Sequence, residues 1–414
     1  MRALRDYGLV TLVYWAFTLS DGALRMLVLL HFHHLGYSPL QLAVLFLLYE
    51  FFGVVTNLGG GWLAARLGVN VTLWGGTALQ IMALLMLAGL DPSWTAALSV
   101  GWVMAAQALS GIAKDLTKMS AKSALKTLVP PEREGTLFRW VALLTGSKNA
   151  LKGVGFFVGG GLLAWLGFAP ALVAMAAVLA LMLLGAVILL PRELGKAKRT
   201  AGWASLLAKS PSINALSAAR FFLFGARDIW FVVGVPVFLA SGLGWGFTQV
   251  GSFLALWVIG YGVVQASAPA VLARVSGGRL PGGGAVVVLG VLLAAVTALV
   301  PLGLQAGLPA TTVVLGGLGL FGVVFAITSS LHSYLILAYA DADSVATDVG
   351  FYYMANAGGR LVGTLLSGLL FQLGGLAGCL WGSVAFAVAA TAISLRLPRA
   401  AGPALAGRAA AGGE

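Results

Sequence analysis

The chain has 414 residues, 60% of them hydrophobic and 9% charged, with a formal net charge of +12. A soluble globular domain carries about 25% charged residues, so this composition, with a mean hydropathy of +0.97, excludes that class and disordered chains alike. The single cysteine, Cys379, excludes a disulfide framework within the chain and any cysteine-built zinc or iron–sulfur site. What remains is a polytopic membrane protein, in which about 20 apolar residues make one crossing.

In chain order, apolar runs interrupted by Gly, Pro or charge predict twelve spans: 8–32, 40–63, 70–89, 95–120, 138–165, 168–190, 213–240, 248–272, 283–305, 310–337, 346–372 and 375–396. Arg2 and Arg5 precede the first run as in a signal peptide. That run, however, contains Asp21 and Arg25, lacks a cleavage site and is followed by similar spans, so it reads as a retained helix. Most connections are short and several are marked by Gly or Pro: Gly36–Pro39, Asp91–Pro92, Pro130–Pro131, Gly277–Gly284 and Gly307–Pro309. The longest, 191–212, holds Arg192, Lys196, Lys198, Arg199 and Lys209 and divides the chain almost in half.

Lys and Arg collect on one side: Arg2, Arg5, Arg66, Lys122, Lys126, Arg133, Arg139, the central loop, Arg274, Arg279, Arg396, Arg399 and Arg408. The opposite loops contain none. This asymmetry predicts cytoplasmic termini and a cytoplasmic central loop, which requires an even number of spans. It also assigns the positive charge to the membrane, and no basic patch of the nucleic-acid kind exists.

An offset of 208 residues places Gln41 on Gln249, Asn57 on Gln265, Arg66 on Arg274, Lys152 on Arg360, Gly155 on Gly363, Gly160 on Gly368 and Gly167 on Gly375. A six-plus-six duplication follows: 1–190 as one six-helix bundle, 191–212 as a cytoplasmic loop, 213–396 as the second bundle and 397–414 as a cytoplasmic tail. The expected fold is all-α, with two bundles related by a pseudo-two-fold axis and a site at their interface, the geometry of major facilitator transporters. Glycines inside the spans serve close packing or bending, which sequence does not separate.

A charge at the bilayer centre costs roughly 2.5–3.5 kcal/mol on insertion scales. Leaving aside Arg139, Asp348 and Arg396 near the span ends, eight basic residues lie inside the spans, Arg25, Lys114, Lys118, Lys148, Lys152, Arg220, Arg227 and Arg360, against four acids, Asp21, Glu50, Asp115 and Asp228. If every acid took one cation, four cations would remain. A wet cavity that accepts an anion explains such an excess. Lys114, Lys118 and Lys122 recur every four residues, as do Lys148 and Lys152, while Arg220 and Arg227 are two turns apart. Such a set suits an anion with several oxygens, since Arg forks bind bidentately and Lys acts as a point charge.

Structural alternatives stand beside these roles. Asp21 and Arg25, at i and i+4, either neutralise one another or line the site. Asp115 pairs with Lys118 or Lys114, or lines the site; Lys118 either lines it or snorkels to the interface. Glu50 has no cation at helical spacing, so it is a protonated carboxyl or a proton-coupling group. His31, His33 and His34 read as a solvated loop, and His332 as a packed or pore-lining residue. No nucleophile motif, phosphate-cradling loop or dinucleotide fingerprint lies in a strand–helix setting, so neither an enzyme nor a bound cofactor or metal is predicted.

Several stretches carry a family likeness. They are Tyr14-Trp15-Ala16-Phe17-Thr18-Leu19-Ser20-Asp21-Gly22-Ala23-Leu24-Arg25-Met26; Leu35-Gly36-Tyr37-Ser38-Pro39; Ala108-Leu109-Ser110-Gly111-Ile112-Ala113-Lys114-Asp115; Gly146-Ser147-Lys148-Asn149-Ala150-Leu151-Lys152-Gly153; and Phe224-Gly225-Ala226-Arg227-Asp228. Together these resemble the organoarsenical efflux permeases of the major facilitator superfamily, the ArsJ family, over residues 8–395. The superfamily's loop between spans two and three is matched by Gly61-Trp62-Leu63-Ala64-Ala65-Arg66-Leu67-Gly68, with Ala65 at the usual acidic position. Gln107 stands where many proton antiporters carry arginine.

The resemblance implies export of 1-arseno-3-phosphoglycerate, made in the cytoplasm by glyceraldehyde-3-phosphate dehydrogenase, and hence arsenate resistance. It implies a monomer in the cell inner membrane, with that enzyme as a functional partner and no nucleic acid. Lys148, Lys152, Arg227 and Arg360 are expected to bind the anion, with Arg25 and Arg220 peripheral and Lys114 and Lys118 drawing it in. Asp21, Asp115 and Asp228 are expected to orient cations, and carboxylates such as Glu50 to carry protons.

Overall fold

The computed structural model describes residues 2–67, 69–128, 134–190, 210–275, 281–339 and 345–399. The central segment 191–209, the tail from residue 400, Arg133 and Arg279 lie outside the described residues, as do the side chains of Arg66, Lys122, Lys126 and Arg139. Among the described residues every regular element is helical: α1 (Arg2–His34), α2 (Pro39–Leu45), α3 (Leu47–Leu67), α4 (Val69–Ala88), α5 (Ala96–Leu128), α6 (Glu134–Leu166), α7 (Phe168–Leu189), α8 (Pro211–Phe231), α9 (Gly234–Val237), a π-helical turn Phe238–Gly242, α10 (Phe247–Val275), α11 (Gly283–Gln305), α12 (Ala310–Tyr339) and α13 (Val345–Ser394).

Among the described residues, eleven stretches are long and apolar enough to cross a bilayer. The last, α13, is two helices in line, broken where Gly374 leaves helical geometry and Gly375 takes φ 58°. Counting both halves gives the twelve expected crossings. The break falls where the sequence predicts a boundary, because Gly375 alone reaches that left-handed region without a Cβ penalty.

Local chemistry sets the helix ends and exposes the duplication. Ser38 accepts from the Gln41 amide at 3.3 Å while Gln41 Oε1 accepts from the Ser38 amide at 2.8 Å, a reciprocal cap with Pro39 at the first helical position. At the 208-residue offset, Gln249 Oε1 accepts from the Gly246 amide, also at 2.8 Å. Positive φ recurs in the same register: Gly36 (84°) with Gly244 (70°), and Gly167 (80°) with Gly375 (58°). Two turn types are thus repeated, each demanding glycine twice.

The helices form two compact units, Met1–Ala201 with Leu239–Ile259, and Gly202–Phe238 with Gly260–Glu414. The sequence division keeps 213–396 together; the contacts differ from it in Leu239–Ile259. Missing side chains account for that difference. A Cβ on Gly153 would fall 2.7 Å from the Ala255 carbonyl, and one on Gly160 2.6 Å from that of Phe247. In the first unit α6 also meets α1 backbone to backbone, since a Cβ on Gly155 would lie 2.5 Å from the Leu19 oxygen. Its repeat mate Gly363 plays the same part in the second unit, where a Cβ would lie 2.8 Å from the Gly225 oxygen of α8. Small residues permit such contacts where lipid offers no hydrophobic drive between helices.

The seventh crossing is discontinuous. α8 ends at Phe231, and the freed amides of Val233 and Gly234 both donate to Ser367 Oγ at 3.1 Å. Pro236 cannot donate to the carbonyl one turn back, so the chain resumes as a short helix and a π turn.

Replacing Gly155 or Gly363 with leucine should destabilise the fold by about 1–3 kcal/mol through overpacking. Gly185→Leu, where a Cβ meets open space, should leave the unfolding midpoint in detergent unchanged. Equal midpoints for all three would contradict the packing described.

Candidate functional site

In the first unit, α1 presents Asp21 and Arg25 toward α3. The two do not neutralise one another. Arg25 Nη2 reaches Glu50 Oε1 at 2.5 Å, with side-chain exposures of 7% and 1%. Tyr49 donates its hydroxyl to Asp21 Oδ1 at 2.6 Å. Glu50 therefore meets a cation from a neighbouring helix, a partner that spacing within one helix does not reveal. Tyr49 also offers its ring face to Lys114, whose Nζ lies 4.1 Å from the centroid, and to Arg25, whose guanidinium carbon lies 5.1 Å away.

One turn further, fully buried Asp115 collects three donors. Lys118 Nζ reaches Oδ1 at 2.9 Å, while Thr56 and Asn57 donate to Oδ2 at 2.7 and 3.3 Å. Lys118 also donates to Asn57 Oδ1 at 3.0 Å, so it turns inward instead of snorkelling. Gly53 makes room for this approach: a Cβ there would stand 3.4 Å from Lys114 Nζ. On α6, Lys148 and Lys152 are half-buried, and Lys152 Nζ lies 5.7 Å from the Phe156 ring.

In the second unit, Asp228 is fully buried and serves two arginines. Arg227 donates from Nε to Oδ1 at 2.6 Å and pairs with the same oxygen through Nη2. Arg360, from α13, donates from Nε to Oδ2 at 3.2 Å. Each arginine side chain keeps 16% of its surface exposed. One carboxylate thus fixes two forks. Fixing a planar fork beforehand lowers the entropy lost when it grips an oxyanion.

Arg220, expected at the periphery of the anion site, is buried in the second unit. It is 4% exposed, donating from Nε to Asn356 Oδ1 at 3.0 Å and from Nη1 to the Ser329 carbonyl and hydroxyl at 3.1 Å each. Its guanidinium stacks 3.9 Å from the Phe224 centroid, and that ring also lies 5.0 Å from the Arg227 guanidinium carbon. The spacing 220, 224, 227 on one helix face carries this arrangement; the sequence reading saw the two arginines two turns apart and passed over the ring between them.

Tyr49, Phe224, Ser329 and Asn356 are absent from the sequence-derived set. Neutral partners contributed by other helices leave no periodic signal. The histidines differ from expectation as well: α1 continues through His34, with His31 stacked 4.0 Å from Phe168 and His33 hydrogen-bonded to Ser241 at 2.8 Å. His332 is packed at 1% exposure.

A family model described as Major Facilitator Superfamily matches residues 10–363. The chain belongs to the major facilitator superfamily. Its members are transporters and not enzymes, and they work by alternating access. Similar solved structures include a bacterial homologue of the iron transporter ferroportin in an inward-facing state and the nucleoside transporter NupG. Each has 15% identity and a TM-score of 0.70, over 95% of this chain and 98% of the other. A POT family transporter in complex with 5-aminolevulinic acid matches at 15% identity and a TM-score of 0.70, over 94% and 95%. At that identity the likeness concerns the fold. No curated protein matched the chain in sequence.

Within this superfamily fold, the Arg25–Glu50 pair ties α1 to α3. Breaking a buried pair from one side costs about 3–5 kcal/mol, whereas replacing both partners by apolar groups is often neutral. Glu50→Ala should therefore lower the unfolding midpoint sharply, and Arg25→Met with Glu50→Leu should recover most of the loss. A double variant as unstable as the single one would contradict a role confined to that pair.

Proposed function

We propose that this transporter exports a small organic polyanion, 1-arseno-3-phosphoglycerate, across the cell inner membrane, with both termini cytoplasmic. The observation that carries the reading is Asp228, one buried carboxylate held between Arg227 and Arg360. Cations gathered at such depth are costly unless negative charge answers them, and a visiting anion would share in doing so. The resemblance of the quoted motifs supplies the arsenic; the charges support only the anion.

In this reading the outer edges of Arg227 and Arg360 grip an oxyanion bidentately while Asp228 orients both. In the first unit Lys148 and Lys152 supply point charges, and Lys114 and Lys118 attract the anion from the cytoplasmic side. Asp115 holds Lys118 in place, and Asp21 and Glu50 hold Tyr49 and Arg25. Arg25 and Arg220, engaged by Glu50 and by Ser329 with Asn356, stay out of contact with the organic anion. Glyceraldehyde-3-phosphate dehydrogenase is the functional partner that makes the substrate, and the exporter acts as a monomer conferring arsenate resistance.

The test is flux in loaded vesicles, with the amount of protein in the membrane measured in parallel. Lys152→Gln and Arg360→Gln should each lower transport roughly 10–100-fold, the worth of one charge-assisted hydrogen bond. Unchanged flux in both would overturn the assignment. Competition by glycerol 3-phosphate as strong as by the arseno-ester would make the protein an organophosphate exchanger instead.

A further inference from the structure

Arg220 stands apart from the other described arginines of the second unit. Arg227 and Arg360 share Asp228, whereas every acceptor that Arg220 meets is neutral. A guanidinium carries five N–H donors. Three of them are used, by Asn356 and by the two oxygens of Ser329, and among the described residues nothing accepts from the pair on Nη2. The rings of Phe224 and Tyr352, with centroids 3.9 and 5.0 Å from the guanidinium carbon, spread some of the charge without cancelling it. A cation at 4% exposure with no carboxylate bears a desolvation penalty of several kcal/mol.

We propose that Arg220 binds a monovalent inorganic anion of chloride size, resident in the second unit and separate from the transported organic anion. One charge answers one charge. The two N–H groups of Nη2 diverge, so a spherical ion meets one of them as a single charge-assisted donor, and aromatic surroundings favour a weakly hydrated ion over a divalent oxyanion. A phosphate would bring a second negative charge beside the rings of Phe224 and Tyr352. Ser329 and Asn356, on α12 and α13, are the positioning residues: they fix the guanidinium plane without neutralising it. The resident anion would then hold α8, α12 and α13 together around one charge.

The experiment is thermal unfolding of the purified full-length protein in detergent, with sodium gluconate exchanged for chloride, bromide, nitrate or phosphate at constant ionic strength. The expected result is a saturable rise in the unfolding midpoint with chloride, bromide and nitrate. That rise should vanish in Arg220→Gln and persist in Arg274→Gln, at the exposed end of α10. Should Arg220→Gln fail to fold, Arg220→Lys, which keeps the charge and loses the fork, should need at least tenfold more chloride for half effect. Equal midpoints in chloride and gluconate would overturn the proposal, as would a chloride response unchanged by the Arg220 variants. Stronger stabilisation by phosphate than by chloride, lost with Arg220, would also overturn it by assigning that edge to the transported oxyanion. None of these readouts uses transport, so the result stands whether or not the arseno-ester is the substrate.

Discussion

Charge buried in an apolar medium is the constraint on which the rest depends. Moving an ion from water into a low-dielectric interior costs several kcal/mol even after relaxation, and this chain sets eight cations inside its spans, Arg25 and Arg220 buried and the other six half-buried. The structure meets that cost in three ways. Arg25 and Lys118 are set on the carboxylates of Glu50 and Asp115. Arg227 and Arg360 divide a single carboxylate. Arg220 is carried by neutral oxygens and rings. The first way stabilises helix packing and leaves little positive charge over; the second and third keep it.

The glycines make these arrangements possible. Where α6 crosses α1, and where α13 crosses α8, the backbones touch because Gly155 and Gly363 carry no side chain. That closeness brings Arg360 within reach of Asp228. Transporters that alternate between two states need packed elements with more than one arrangement, and smooth backbone contacts slide more readily than interlocked side chains. The broken seventh crossing is held by Ser367, whose Oγ accepts from the Val233 and Gly234 amides.

The fold was legible to an unusual degree, because a membrane forces it into the open. Apolar helical runs long enough to cross follow from backbone hydrogen bonding in lipid, and glycine marks turns with positive φ because it has no Cβ; both recur in the structure at the offset of 208. The candidate cations were equally plain, since charge inside a span has few benign explanations. Their partners were not. Glu50 answers Arg25 across two helices, and Asp21 answers Tyr49; helical spacing sees only one helix and favours the wrong pair. Arg220 was expected at the periphery of the anion site, and its partners on α12 and α13 were not foreseen. Neutral hydrogen-bond partners such as Ser329 and Asn356 have no compositional signature, so their role emerges only when helices distant in sequence are brought together.

The central claim is that cations exceeding their carboxylates hold an anion inside the protein, and heavy-atom labelling tests it most directly. Crystals grown with tungstate, an electron-dense mimic of a tetrahedral oxyanion, would be measured for anomalous scattering. The account predicts a peak within about 4 Å of the Arg227 and Arg360 guanidinium nitrogens, the reach of an ion pair. Tungstate confined to basic loops outside the spans, with none at those arginines, would contradict it.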